Sequence, residues 1–121
     1  MRLVTTLTVF LAFIPFLGTA QTFEFTPLTT GTNTSMRGLS VVNQDVIWVS
    51  GSKGYVGRSL NGGKTWQWTQ PKGYETLDFR DIHAFDAENA VIVNAGSPAY
   101  VLATEDGGKT WRENYKNTDP A

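Results

Sequence analysis

The sequence has no cysteine and a single histidine among its 121 residues. The absence of cysteine excludes a disulfide-stapled fold, a thiol nucleophile and a thiolate-held zinc or iron–sulfur site. One histidine cannot build a multi-histidine metal site, so no metal is predicted. Ten Lys and Arg residues stand against 11 Asp and Glu, a net charge of −1. This balance offers no basic surplus for nucleic acid and no acidic tail.

Motifs for nucleotide cofactors are also missing. The only two Gly-Gly pairs, at residues 62–63 and 107–108, stand between short apolar runs. A phosphate loop or dinucleotide fingerprint needs a strand, a glycine-rich turn and a helix in succession. No cofactor is therefore predicted, and an oxidoreductase function has no support in these residues.

Residues 1–20 have the pattern of a secretory signal peptide. Arg2 supplies one positive charge, and residues 3–17 are apolar apart from three threonines. Gly18 and Ala20 are small residues at the −3 and −1 positions of a cleavage site. The alternative is an uncleaved anchor, but the apolar run is shorter than the ~20 residues that a span needs, and Pro15 interrupts it. We predict cleavage after Ala20, a secreted or periplasmic location, and no stable membrane insertion after cleavage.

The remaining chain contains an internal repeat. Residues 59–66 (SLNGGKTW) recur as residues 104–111 (TEDGGKTW), 45 positions later. An Arg-x-aliphatic segment at residues 37–39 matches residues 80–82, 43 positions later. Residues 46–49 align with 90–93, and 55–56 with 100–101. The second unit thus carries two extra residues, which we place near residues 96–98.

Each unit is predicted to form four short strands joined by turn residues. The predicted strands are 36–42, 46–50, 55–59 and 66–69 in the first unit, and 79–85, 90–94, 100–104 and 111–115 in the second. No stretch has the 3.6-residue apolar period of a helix. Four strands in about 40–45 residues is the period of a β-propeller blade. The fold class is therefore all-β, with two blades of four antiparallel strands.

The predicted domain organisation follows from these units. The predicted segments are a signal peptide at 1–20, an N-terminal strand and linker at 21–35, a blade at 36–70, a linker at 71–78, a second blade at 79–115 and linker-like residues at 116–121. Within the N-terminal segment, residues 22–28 are predicted to form a spare strand. A closed propeller needs at least four blades of ~45 residues, so the chain is expected to be the N-terminal part of a larger propeller. The alternative is a ring assembled from several short chains.

The repeated segments 59–66 and 104–111, here called the two Gly-Gly turns, are assigned a structural role. Asn61 and Asp106 can accept backbone N–H groups, and the glycines permit positive φ. Because the two copies interchange Asn and Asp, a catalytic carboxylate is disfavoured at this position. We expect the tryptophan rings to fold under the turns. The residues assigned to this structural set are Ser59, Asn61, Gly63, Thr65 and Trp66, with Thr104, Asp106, Gly108, Thr110 and Trp111.

The Gly-Gly turns resemble a known motif, Ser/Thr-x-Asp-x-Gly-x-Thr-Trp, the Asp-box or BNR repeat. This motif occurs in sialidase-type propellers, sortilin-like domains and the photosystem II stability/assembly factor family. The chain looks most like secreted bacterial members of the last group, through its turns and the segment RGLSVV…WVSG. The resemblance implies a β-propeller in which the box is structural. Asn61 departs from the motif, whereas Asp106 follows it.

Arg37 and Arg80 are the candidate ligand-binding residues. They hold equivalent positions at the start of the first strand of each unit, at the opposite end from the Gly-Gly turns. Sialidases also place an arginine before their first box, and the assembly-factor family is thought to present arginines to a protein partner. The resemblance therefore implies a binding role. The alternative is a structural ion pair between blades with Asp78, Asp81 or Asp86.

Two functional hypotheses follow. The first is a non-catalytic extracytoplasmic propeller module that binds a protein or a glycan, similar to the assembly factors. The second is the N-terminal part of a secreted sialidase-like glycoside hydrolase. Glu75, Asp78 and Asp81 lie in the right region for paired carboxylates, but their separation is not fixed by the sequence. His83 has no nucleophile motif beside it, so no catalytic residue is assigned and the chain itself is interpreted as non-catalytic.

Overall fold

The computed structural model describes residues 18, 20–28 and 31–119. The predicted signal peptide therefore lies, apart from Gly18 and Ala20, outside the described residues. In the part of the chain that is described, no helix has the length and apolar character needed to cross a membrane.

Eight strands form two separate antiparallel sheets with the strand orders β1-β2-β3-β4 and β5-β6-β7-β8. The first sheet, blade 1, contains β1 (Met36–Val41), β2 (Ile47–Gly51), β3 (Val56–Ser59) and β4 (Gln67–Thr69). The second sheet, blade 2, contains β5 (Phe79–Ala84), β6 (Ala90–Asn94), β7 (Ala99–Thr104) and β8 (Arg112–Asn117). The predicted all-β fold of two four-stranded blades is confirmed. The strand ends lie within two residues of the predicted ones, because short alternating runs between glycine-rich turns fix them locally.

The predicted spare strand at residues 22–28 is wrong, because these residues form no strand. Leu28 and residues 31–35, together called the strap, contact the outer side of blade 1. The carbonyl of Leu28 accepts a hydrogen bond from Trp66 Nε1 at 2.6 Å. An isolated strand is stable only when a neighbouring edge pairs with its backbone, and none of the described strands does so here.

The strand register corrects the alignment of the two repeats. Val41 pairs with Ile47 in blade 1, and Ala84 pairs with Ala90 in blade 2. Ile47, rather than Val46, is therefore the counterpart of Ala90, and the predicted alignment of residues 46–49 with 90–93 is wrong by one position. The reason is that both arginine segments and both second strands keep the same 43-residue offset, with the two extra residues after β6. In this register Trp48 corresponds to Val91.

The hydrophobic core lies between the two blades. Trp48 from blade 1 and Phe79, Ile92 and Leu102 from blade 2 are fully buried there. The first strands of the blades lie against each other, since the Ala84 N–H donates to Ser40 Oγ at 3.0 Å. The two sheets therefore pack face to face, as neighbouring propeller blades do.

Only one face of blade 1 is covered by blade 2. On the opposite face, Leu39 and Val41 are 65% and 61% exposed. Their counterparts in blade 2, Ile82 and Ala84, are 4% and 7% exposed because blade 1 covers them. The contact between blades thus determines the burial at these positions.

Candidate functional site

Arg37 and Arg80 occupy equivalent β-bulges. The β1–β2 register skips between Met36 and Gly38, and the β5–β6 register skips between Phe79 and Asp81. Each arginine is thus the extra, unpaired residue of its strand. A bulge turns the side chain of the extra residue away from the ladder and often occurs next to functional sites. The repeat of the bulge shows that the backbone presents both arginines in the same way.

The two bulges lie close together because the residue between them, Gly38, has no side chain to keep the strands apart. A Cβ atom built on Gly38 would lie 2.9 Å from the Cα of Asp81, which follows Arg80. Only glycine permits so close an approach of two backbones. The chain thereby places two cationic residues side by side on neighbouring strands.

Both arginines are exposed, and neither joins an ion pair across the blades. The Arg80 side chain is 51% exposed and lies 3.9 Å from Asp78, which precedes its own strand. Arg37 has no ion pair with any residue that the structure describes. Of the ion pairs named as the alternative, the structure forms only that of Arg80 with Asp78, in the segment that links the blades, and Arg37 forms none with the described residues. The guanidinium donors of both residues face solvent and can take up a ligand.

The arginines and the Gly-Gly turns lie at opposite ends of the blades. The arginines start β1 and β5, at the end where the β2–β3 turn meets the strap. At that turn the Ser52 N–H donates to the Ser35 carbonyl at 3.0 Å, and the Gly54 N–H donates to the Leu77 carbonyl at 2.7 Å. The Gly-Gly turns join β3 to β4 and β7 to β8 at the other end.

The first Gly-Gly turn is closed by side chains. The Ser59 hydroxyl accepts the Gly63 N–H at 2.8 Å, and Asn61 Oδ1 accepts the Thr65 N–H at 2.9 Å. Asn61 Nδ2 donates to the Thr65 hydroxyl at 2.9 Å. The Trp66 Nε1–H reaches back to the Gly63 carbonyl at 3.1 Å. The turn is thus held by its own polar groups.

The second Gly-Gly turn repeats this pattern with a carboxylate. Thr104 Oγ1 accepts the Gly108 N–H at 3.0 Å, and Asp106 accepts from both the backbone and the hydroxyl of Thr110. The hydrogen bonds from Thr110 lower the pKa of Asp106 to about 2. Trp111, like Trp66 in the first turn, is half-buried rather than fully enclosed. The side-chain oxygens of Ser59 and Asn61, and of Thr104 and Asp106, are thus engaged in hydrogen bonds within their own turns, which supports the structural role assigned to this set.

The acidic candidates are engaged separately. Both carboxylate oxygens of Glu75 accept the Gly73 N–H, at 3.0 and 2.9 Å, and this lowers the pKa of Glu75. Asp81 accepts the N–H of the next residue at 2.8 Å, and Asp78 faces Arg80. Asp86 accepts the Glu88 N–H at 2.7 Å, which lowers its pKa. Each of these carboxylates thus has its own local partner, and these contacts bring no two of them together on a common group.

His83 is an exposed strand residue whose ring packs against that of Phe85 in a T-shaped arrangement, with the ring centroids 4.9 Å apart. Among the described residues, no three His, Asp or Glu side chains converge to hold a metal ion. The only histidine therefore forms a packing contact at the surface.

The sequence analysis missed Arg58 and Trp48, which join the blades. Arg58 is 6% exposed, donates to the Ala87 carbonyl at 2.6 Å and pairs with Glu88 at 3.0 Å. Its guanidinium also lies 5.6 Å from the ring centre of Trp48, whose Nε1–H donates to the Asp86 carbonyl at 3.0 Å. The available signal was a break in the repeat, since Arg58 corresponds to Ala103 once the strands are in register.

Comparison with known families gives one match over most of the chain. The model of the family described as photosynthesis system II assembly factor YCF48 matches residues 18–118. A comparison with curated proteins finds no match.

Nine solved chains match this chain, among them two YCF48 structures. YCF48 bound to D1 peptide is 23% identical with a TM-score of 0.58, and the match covers 71% of this chain and 28% of that one. YCF48 from Cyanidioschyzon merolae is 22% identical with a TM-score of 0.55, with the same two coverages of 71% and 28%. The match therefore spans little more than a quarter of each solved chain. At this identity the likeness shows the fold: the two blades match part of a β-propeller.

Proposed function

Because this chain belongs to the photosynthesis system II assembly factor YCF48 family, we propose that it is a non-catalytic propeller module that binds a protein partner. One observation carries the proposal: Arg37 and Arg80 stand on equivalent bulges of adjacent strands, and both are exposed. The family relation favours a protein over a glycan as the partner. The solved YCF48 structure contains a D1 peptide, so we propose that this chain also binds a peptide segment of its partner.

The chemistry of the two arginines indicates which part of such a peptide they bind. A guanidinium offers donors in a planar fork that matches a carboxylate bidentately. Arg80 has Asp78 as an ion-pair partner at 3.9 Å, whereas Arg37 has no acidic partner among the described residues, so its guanidinium is available for a carboxylate of the ligand. We propose that they bind an acidic side chain or the terminal carboxylate of the peptide.

Fluorescence anisotropy with a labelled D1 peptide tests this proposal. Arg37→Ala and Arg80→Ala should each weaken binding about 10-fold or more, since charge-assisted hydrogen bonds contribute about 1.5–3 kcal/mol each. The matched control is Arg112→Ala, an exposed arginine at the opposite end, which should bind as the unmodified chain does. Circular dichroism of each variant establishes that the fold is retained. Unchanged binding by the double variant Arg37→Ala/Arg80→Ala would contradict the proposal.

We also propose that the mature protein is exported. Support comes from the charge, apolar run and small residues of the first 20 positions. Expression in a bacterium with a secretory pathway, followed by N-terminal sequencing, should give a mature chain that starts at Gln21. Recovery of the chain with Met1 in the cytoplasmic fraction would overturn this proposal.

A further inference from the structure

A depression of about 300 Å³ opens between the strap and the β2–β3 turn of blade 1, and we call it the Tyr55 pocket. It is lined by Gly31, Thr32, Asn33, Thr34, Lys53 and Tyr55. Thr34 Oγ1 donates to the Ser52 carbonyl at 2.6 Å and so holds the strap against the turn. Two residues later the strap becomes the strand that carries Arg37. The pocket therefore adjoins the arginine end of the blade.

The corresponding place in blade 2 is filled by the chain itself. Tyr100 is the counterpart of Tyr55, because each residue directly precedes an equivalent ladder pair of its blade. The ring of Tyr74 packs on Tyr100 edge to face, with centroids 5.1 Å apart. Lys116 Nζ lies 5.5 Å from the centre of the same ring, and the Tyr74 hydroxyl donates to Glu113 at 2.8 Å. An aromatic ring and a cation thus cover Tyr100.

Among the described residues, no aromatic ring packs on Tyr55 as Tyr74 packs on Tyr100. The Ser52 N–H bonds to the Ser35 carbonyl as the Ala95 N–H bonds to the Asp78 carbonyl, so Ser35 and Asp78 are equivalent. Gly31 and Tyr74 each lie four residues before this equivalent pair, so Gly31 stands at the chain position that Tyr74 has in blade 2. A side chain at Gly31 would be strained and crowded, because its φ is +86° and its Cβ would lie 3.2 Å from Trp68 Nε1. The chain therefore places no side chain of its own at residue 31, and the depression beside Tyr55 is not filled from this position.

The geometry points to the Tyr55 pocket as a binding site for an aromatic side chain of the partner protein. The incoming ring would take the place that Tyr74 has in blade 2 and pack edge to face on Tyr55. Lys53, exposed at the rim, has no hydrogen-bond or ion-pair partner for its amine among the described residues. It supplies the cation that Lys116 supplies in blade 2, which favours an electron-rich ring over an aliphatic group. This inference rests on the proposed function only in naming a protein as the source of the ring.

The pocket can be tested without any partner, by NMR titration of the chain with N-acetyl-tyrosinamide. N-acetyl-leucinamide, which has no ring, is the matched probe. The tyrosine probe should shift resonances of Tyr55, Lys53 and residues 31–34, with saturation in the millimolar range, and the leucine probe should not. Tyr100 is an internal control, since Tyr74 already covers it. Absence of shifts at Tyr55, or equal shifts with both probes, would overturn the inference.

Two variants sharpen the test. Tyr55→Leu should weaken the tyrosine probe about 2- to 12-fold, the range expected from the loss of one aromatic pair. Lys53→Asn removes the cation but keeps a residue type that tolerates the φ of 57° at this position. It should also weaken the probe, whereas Lys64→Asn at the opposite end should not. Unchanged affinity in Tyr55→Leu would overturn the assignment.

The repeat allows a gain of function as well. Tyr74→Gly should open the equivalent place in blade 2, so that the tyrosine probe now shifts Tyr100. A folded Tyr74→Gly chain whose Tyr100 does not respond would contradict the equivalence on which the inference stands. Because these readouts do not depend on Arg37 or Arg80, failure of the pocket and failure of the proposed peptide site are distinguishable.

Discussion

At the scale of single residues, Asn61 and Asp106 close equivalent turns with different protonation chemistry. Each uses one oxygen to accept a backbone N–H, from Thr65 and Thr110 respectively. The second side-chain atom donates to the threonine hydroxyl in Asn61 but accepts from it in Asp106. The threonine hydroxyl serves as either partner because it carries both a proton and lone pairs. Only the second turn therefore depends on pH.

Asp106→Asn should remove this pH dependence. The pKa of Asp106 is lowered to about 2 by its hydrogen bonds to Thr110. A carboxyl whose folded pKa is lowered stabilises the fold above its ordinary pKa near 4, and this stabilisation is lost as the pH falls towards 2. Thermal unfolding followed by circular dichroism from pH 7 to pH 2 should show a steeper acid loss for the unmodified chain than for the variant. Parallel pH profiles would contradict this.

Arg58 and Arg112 offer a matched pair of arginines. Arg58 is buried and bonded to a backbone carbonyl of blade 2, whereas Arg112 pairs with Glu105 while 61% exposed. Arg58→Ala installs the residue found at its repeat counterpart and should cost about 2–3 kcal/mol of unfolding free energy. Arg112→Ala should cost less than about 1 kcal/mol, as exposed ion pairs do. Urea denaturation measures both, and equal losses would show that Arg58 does not hold the blades together.

At the scale of the elements, the Gly-Gly turns are stabilised by the residue that ends the third strand of each blade. The hydroxyls of Ser59 and Thr104 accept a glycine N–H that is buried inside the turn. Gly63 and Gly108 have positive φ values of 85° and 84°. Because this N–H group is buried and cannot bond to solvent, the hydroxyl is the acceptor that satisfies it.

Ser59→Ala should therefore destabilise the chain by about 1–3 kcal/mol, the cost of a buried donor without a partner. Ser59→Thr restores the hydroxyl and copies the second turn, so it should cost less than half as much. The free energy of unfolding in urea is the measurement. An alanine variant as stable as the threonine variant would mean that the hydroxyl is not needed.

Tryptophan substitutions separate the blade junction from the turns. Trp48 is fully buried between the blades, whereas Trp66 is half-buried against Leu28. Trp48→Ala should cost about 3–5 kcal/mol, and Trp66→Ala clearly less. Chemical denaturation of the two variants under the same conditions measures both losses of unfolding free energy. A larger loss for Trp66→Ala would place the main core at the turn rather than at the junction.

The sequence predicts elements better than junctions. Strand alternation and the Gly-Gly turns are local, so the strand ends and the end of the blade that carries Arg37 and Arg80 follow from the residues themselves. The bulges at those arginines depend on how β1 pairs with β2, which a pattern does not reveal. Trp48 and Arg58 act across the junction, and their role emerges only when the register shows that Val91 and Ala103 replace them. The Tyr55 pocket likewise requires Gly31 to be matched to Tyr74.

At the scale of the whole molecule, the outer face of blade 1 is only partly covered. The strap protects the region near Trp66, but Leu39 and Val41 remain exposed at 65% and 61%. An apolar sheet face of this kind is prone to association with another surface. On blade 2, Phe85 is also exposed, at 62%.

Leu39→Lys should therefore reduce self-association of the chain. Light scattering over a concentration series should show a mass that rises with concentration for the unmodified chain and less so for the variant. Leu60→Lys, at a residue 49% exposed on the first Gly-Gly turn and outside this face, is the control and should behave as the unmodified chain does. An unmodified chain that stays monomeric over the whole concentration series would contradict the prediction.

The strap also affects the order in which the contacts of the two blades can form during synthesis. Leu28 lies against Gly63 much as Trp48 lies against Gly108, with approaches of 3.1 and 3.3 Å to a Cβ built on each glycine. The first pair is 35 residues apart in the chain and the second is 60. A polypeptide emerges from the ribosome with its N-terminus first, so the shorter contact becomes available earlier. The strap can therefore cover the outer face of blade 1 around Trp66 before blade 2 has been synthesised, while the inner face, which carries Trp48, is still fully open for blade 2 to dock on.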